Sequence, residues 1–130
     1  MIHRSLLATL LALAALFSPG LATAAAADAP FEQVAFAKML TAVQAKSLSD
    51  FVSFGDANLK ATTPEQFAKA VDTLSPKLKA GYHLNYVGEF KTNDDHVYYW
   101  KVQFTGDRND WLGKLVTANG EVKGFFVVRP

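Results

Sequence analysis

The sequence contains no cysteine. That excludes a disulfide framework and a lipid-modified cysteine at a cleavage site, and leaves packing as the source of stability. It also lacks an excess of either charge: thirteen Lys and Arg stand against twelve Asp and Glu, and loss of Arg4 with a leader would leave twelve against twelve. The charges are interspersed, with neither a basic stripe nor an acidic tail, which argues against nucleic acid as a partner. No glycine-rich loop joins a strand to a helix start and no serine sits in a nucleophile elbow, so nucleotide binding and serine hydrolysis have no support. His83 and His96 lie far apart along one hairpin, and the turns Asp94-Asp95 and Asp107-Arg108-Asn109-Asp110 do not match calcium-loop spacing. The expectation is therefore no metal, no cofactor and no catalytic residue of a recognisable type.

What is present begins with a leader. His3 and Arg4 give a short positive start, Leu6 to Phe17 is an unbroken run of Leu, Ala, Thr and Phe, and Pro19-Gly20 ends it. Twelve apolar residues fall short of the about 20 that span a bilayer. Ala22-Thr23-Ala24 satisfies the small-x-small rule, which predicts a signal peptide over residues 1–24, with cleavage possible as late as 27, and an exported chain, periplasmic or secreted, with no membrane attachment afterwards. Residues 25–130 are then one domain, large enough for a single core.

That domain reads as helices followed by strands, the segregation of an α+β fold. Phe36, Met39, Leu40 and Val43 fall at helical spacing from Pro30 to about Lys46. Ser49 can cap a short piece through Phe54. Thr63-Pro64-Glu65-Gln66 is a capping box opening a helix with Phe67, Ala70, Val71 and Leu74 on one stripe, which Ser75-Pro76 should interrupt before Gly81.

Four strands follow. Tyr82, Leu84, Tyr86, Gly88 and Phe90 alternate with His83, Asn85, Val87, Glu89 and Lys91, and Tyr98, Trp100, Val102 and Phe104 alternate with Val97, Tyr99, Lys101 and Gln103. A short loop at Asn93-Asp94-Asp95 makes these two a hairpin in which Thr92 faces His96. Asn119-Gly120 is the favoured two-residue type I′ turn, which pairs Thr117 with Val122, Leu115 with Gly124, Gly113 with Phe126 and Trp111 with Val128. Pairing Phe104 with Trp111 and Trp100 with Leu115 across the middle loop completes a four-stranded antiparallel meander. Two to three helices should cover its aromatic face. Gly88, Gly113 and Gly124 then share that face, either curving the sheet around a ligand or making room for large neighbours.

On this register Tyr82, Tyr86, Tyr98 and Trp100, with Phe104, Trp111 and Phe126, line the inside, and Glu89 and Lys101 point out. The opposite face carries Val97, Tyr99, Leu112, Val116, Phe125 and Val127, more apolar than a solvated face needs to be. Such a patch marks an interaction surface, with sheet-to-sheet homodimerisation the simplest candidate.

Helices ahead of a curved meander that closes with Asn119-Gly120-Glu121-Val122-Lys123-Gly124-Phe125-Phe126-Val127-Val128 resemble the nuclear transport factor two-like superfamily, the cystatin-like α+β cone. The Gly-x-Val-x-Gly-Phe of that hairpin and the preceding Tyr99-Trp100-Lys101-Val102-Gln103-Phe104 are similar to exported bacterial members of unknown function. The resemblance implies a cone whose mouth opens between sheet and helices, used by different relatives for isomerisation, cyclisation, dehydration or simple binding. With no acid on the predicted inner positions, the expectation is an exported, non-enzymatic binding or protein-interaction module, taking a small apolar ligand or an envelope protein. The alternative is an isomerase- or cyclase-like enzyme acting on a small apolar substrate, with a tyrosine hydroxyl polarising a carbonyl and a helix aspartate as base.

Overall fold

The computed structural model describes residues 29–130, and Phe31–Pro130 forms one compact unit. The leader predicted over residues 1–24 lies outside the described residues. Among the described residues, no helix is long and apolar enough to cross a membrane. The fold is α+β: helices first, then a four-stranded antiparallel open sheet in the order β1-β2-β3-β4.

Helix α1, Phe31–Ala45, buries Ala35, Phe36, Met39, Leu40, Ala42 and Val43, the stripe its sequence predicts with two alanines added. Lys46 adopts a left-handed conformation (φ 60°) and ends the helix: its N–H bonds to the Val43 carbonyl and the Ser47 N–H to the Ala42 carbonyl, a Schellman motif. Two single turns follow, where the sequence predicted one piece. Helix α2, Leu48–Phe51, is capped by Ser47 rather than the expected Ser49, the Asp50 N–H donating to the Ser47 hydroxyl. Helix α3, Ala57–Lys60, is capped by Asp56, whose Oδ1 accepts from the Leu59 N–H at 2.9 Å. Both ends are satisfied locally, so each turn survives despite its length.

Helix α4, Pro64–Ala80, opens on the predicted capping box, with Thr63 and Gln66 each accepting the other's backbone N–H. It does not break at Ser75-Pro76 as expected. A proline inside a helix removes one hydrogen bond and costs about 3 kcal/mol. Here Leu74 and Leu78 are buried on either side of it, and the buried Ser75 donates its hydroxyl to the Gln44 carbonyl at 3.3 Å. Burial of those two leucines, about 1.5–3 kcal/mol each, is enough to carry the helix through. Gly81 (φ 110°) then turns the chain into the sheet, where few other residues could follow.

Strand β1, Tyr82–Thr92, and β2, Asp95–Phe104, meet at the two-residue turn Asn93-Asp94, one residue tighter than predicted, with Thr92 opposite Asp95. Strands β3, Trp111–Ala118, and β4, Glu121–Val128, zip about Asn119-Gly120, both with positive φ as a type I′ turn requires. Between β2 and β3 the register differs from expectation by two residues: Trp100 faces Gly113 and Val102 faces Trp111. A shift of two preserves which face each residue is on.

Two bulges do not. Tyr86 pairs with Trp100, but Gly88 pairs with Tyr99, leaving Val87 as an extra residue. Thr117 pairs with Val122, but Val116 pairs with Gly124, leaving Lys123 extra. Each bulge turns the rest of its strand over. Phe90, expected inside, lies on the outer face against Tyr99, their rings 5.7 Å apart and nearly perpendicular, and Glu89, expected outside, lies on the inner face. Beyond the second bulge Phe125 and Val127 turn inward onto the core, and Phe126 turns outward, under the Lys114 ammonium at 5.4 Å. Gly88 and Gly124 go to the outer face with them, leaving Gly113 alone of the three on the inner side.

Candidate functional site

The space between helices and sheet is filled. The Phe36 ring lies flat on Trp100, centroids 4.1 Å apart and 3° from parallel, and Phe125 closes against both Phe36 and Phe51. A Cβ at Gly113 would stand 2.6 Å from Phe36 Cζ, so this glycine makes room for the stacked pair. Of the residues predicted to line an interior, Trp100, Phe104 and Trp111 are core side chains, no more than 7 % exposed. Tyr82 is half-buried at 6.5 Å from Phe104.

The depression beside α4, about 460 Å³, is walled by Pro76, Lys77, Phe104 and the Gly106–Asn109 loop. Its chemistry is structural. Asp107 accepts from the Asn109 N–H and from Trp111 Nε1, both at 2.9 Å, and faces Lys77 at 3.6 Å. Lys77 in turn covers the Phe104 and Trp111 rings. The Asn109 backbone bond first, then the Trp111 bond, and then the Lys77 and Arg129 charges hold the Asp107 carboxyl below the usual carboxylate range. A carboxyl lowered in the folded state adds stability above its unfolded pKa and loses it as pH falls through the folded one. Wild type is therefore expected to melt above Asp107→Asn at pH 7, with the gap closing on acidification towards pH 3. A gap in melting temperature that does not vary with pH would contradict this role.

At the end of the sheet near the Asn93-Asp94 turn, the inner face is open and polar-aromatic. Tyr86 and Tyr98 flank the Trp100 ring at 5.7 and 6.4 Å. Tyr86 is 45 % exposed. Glu89 pairs with Tyr98 across the strands, and its Oε2 lies 3.2 Å from His96 Nδ1, the His96 ring running nearly parallel to Tyr98. Thr117 is buried opposite His96. Glu32, half-buried in the first turn of α1, precedes Phe36 by one helical turn, on the side that faces Trp100. Burial raises the Tyr86 hydroxyl above its ordinary pKa, and Glu89 and Glu32 raise it further. Burial also raises Tyr98, with Glu32 and Glu89 adding and the Thr117 side chain opposing. Both phenols therefore stay protonated at neutral pH.

Sequence reasoning placed Tyr86 and Tyr98 on this face but missed Glu89 and Glu32 as their neighbours. A signal was available: each bulged residue precedes an isolated strand glycine, Val87-Gly88 and Lys123-Gly124, and such glycines often mark bulges.

The outer face of the sheet gathers Phe90, Val97, Tyr99, Val116, Phe126 and Val128. Val97 is only 9 % exposed although it lies outside the main core, while Phe90, Phe126 and Val128 remain 64, 47 and 46 % exposed. Of the surface predicted from sequence, Val97, Tyr99, Leu112 and Val116 stay on this side, and Phe126, Phe90 and Val128 replace Phe125 and Val127. None of the described helices covers it: they pack on the other side, where Phe36 meets Trp100. Comparison of the chain with protein-family models, with curated proteins and with solved structures finds no match.

Proposed function

We propose that the chain is an exported, non-enzymatic interaction module that self-associates through the outer face of its sheet. The carrying observation is the set of Phe90, Val97, Tyr99, Val116, Phe126 and Val128 on a face that none of the described helices covers. Exposed apolar side chains gathered on one face mark an interaction surface, and here they surround Lys114, whose ammonium lies over the Phe126 ring. Four strands about 4.8 Å apart, each contributing about seven residues of about 3.3 Å, give a face of about 19 by 23 Å. A second copy is the occupant that fits best, because two like sheets pack face to face about 10 Å apart and a two-fold axis makes the contact self-complementary.

Export rests on the leader read in residues 1–24, and periplasm or extracellular space is the proposed location. The proposal includes a curved, cone-like sheet, supported by the bulges at Val87 and Lys123, since bulges bend and twist the strands that carry them. The order of elements supports the likeness to the nuclear transport factor two-like superfamily in the same way. Against the isomerase- or cyclase-like alternative stands the packing of Phe36 on Trp100 where a substrate would have to sit.

Analytical ultracentrifugation of residues 25–130 is expected to show a dimer that Val116→Asp or Phe126→Asp converts to monomer with unchanged far-UV circular dichroism. A wild-type monomer at 0.1 mM would overturn the proposal. A dimer indifferent to both substitutions would do so as well.

A further inference from the structure

The sheet is open, so β4 presents a free edge, and the fold itself pairs one end of it. Val122 donates its N–H to the Phe54 carbonyl at 2.8 Å and accepts from the Asp56 N–H at 2.9 Å, a parallel bridge beside Gly55. Both backbone groups of Val122 therefore point away from β3, and Val122 and its partner Thr117 share no hydrogen bond. The pairing of β3 with β2 is regular from Trp111 to Thr117, so Gly113 and Leu115 are oriented as Thr117 is. Their β4 partners, Val127 and Phe125, must then turn both N–H and C=O to the free edge, about 6.6 Å apart along the strand. No backbone group of another described segment bonds to them. Beside this edge lies a depression of about 310 Å³, walled by Lys69, Ala70, Thr73 and Leu74 of α4 and by residues 125–128 of β4. Side chains of consecutive strand residues alternate between faces, so the wall that all of residues 125–128 share is the edge of the strand. Among the described residues, Lys69 is the one charged side chain in the lining. Edge strands are ordinarily shielded by charges, prolines or bulges. The bulge at Lys123 and the bridge at Gly55 shield the start of β4, whereas residues 124–128 carry neither charge nor proline.

We propose that this edge takes an extended peptide segment of a partner protein, which adds a strand to β4 alongside Phe125 and Val127. The N–H and C=O groups of these two residues supply the main-chain hydrogen bonds. Alternate side chains of the segment enter the depression against Ala70, Thr73 and Leu74, which selects small residues such as valine and threonine, and a carboxylate beside them meets the exposed Lys69. The site is a backbone edge and goes beyond the proposed self-association through the outer face, although Phe126 and Val128 border both.

The test titrates residues 25–130 with two acetylated and amidated peptides, Glu-Val-Thr-Val-Thr and its reverse Thr-Val-Thr-Val-Glu, following amide shifts and hydrogen exchange by NMR. Saturable shifts and slowed exchange are expected at Phe125 and Val127, and the tighter peptide gives the direction of the added strand. A copy of that peptide N-methylated throughout should not bind, because it cannot donate to the edge. Val127→Pro removes one edge donor without touching the ladder to β3 and should weaken binding about fivefold. Lys69→Glu, on the exposed side of α4, should weaken it about threefold at low salt. Sedimentation of the same samples reads self-association separately, so either result stands without the other. No saturable shift with either peptide, equal binding by the N-methylated copy, or affinity unchanged in both variants would each overturn the proposal. So would exchange at Phe125 and Val127 that slows with protein concentration alone, since a second copy would then fill the edge.

Discussion

Replacing Phe36 by Ala is expected to destabilise the domain by about 3–5 kcal/mol, the range for removing a fully buried phenylalanine. Phe36 is wholly buried, and its ring is the one surface of α1 that meets Trp100 face to face and Phe125 at 5.3 Å. Truncation removes the aromatic contacts on both sides and leaves a void that Gly113, lacking a side chain, cannot help to fill. For a domain of this size each kcal/mol is worth about 4–8 °C, so the melting temperature should fall by roughly 12–40 °C. With total stabilities of about 5–15 kcal/mol the variant should lie near the edge of folding. Urea denaturation read against Gln33→Ala, exposed on the same helix, gives the comparison: the control should stay within about 0.5 kcal/mol of wild type. A Phe36→Ala cost below about 1.5 kcal/mol would mean that the core collapses around the gap and that the stacked pair does not organise it.

The second large effect comes from the opposite change at the same contact. Gly113→Ala would place a Cβ 2.6 Å from Phe36 Cζ and 3.2 Å from Val102 Cγ2. Real Cβ atoms do not approach ring carbons that closely, so the Phe36 ring must leave its parallel seat on Trp100 or β3 must move. Over-packing of this kind costs about 1–3 kcal/mol. The mechanism is separable from a general intolerance of side chains in the strand. In a Phe36→Leu background the crowding atom is gone, and the added methyl should cost much less there than in wild type. A double-mutant cycle is therefore expected to give a coupling of about 1 kcal/mol or more, with the two changes compensating. Additive effects would show that Gly113 is required for backbone geometry instead. This pair also bears on function: the glycine that could have opened room for a ligand is occupied by the protein's own phenylalanine.

Much of the architecture was legible in local chemistry. The apolar stripe of α1, the capping box at Thr63 and Gln66, the Asn119-Gly120 turn and the alternation of β2 are each set within a few residues, and each appears where it was expected. Two aspects of the candidate surfaces were legible in the same way: an aromatic inner wall built on Trp100 and an apolar outer face containing Val97, Tyr99 and Val116.

What local chemistry left open was decided by long-range packing. Strand side chains alternate with a period of two, so one extra residue exchanges inside for outside along the rest of the strand. Val87 and Lys123 are those residues, and they move Glu89 onto the inner face beside Tyr98, send Phe126 to the surface and bring Phe125 onto Phe36. Helix α4 passes Pro76 for a comparable reason: the local preference to break is overruled by Leu74, Ser75 and Leu78 reaching the core and α1. The sequence by itself determined the first helix, the start of α4, the four strands and the Asn119-Gly120 turn, because caps, turns and periodicities act over three or four residues. Which face each side chain finally shows, and hence which groups meet on the inner and on the outer face of the sheet, was decided only in the folded structure, where the bulges settle against the shape of a filled core.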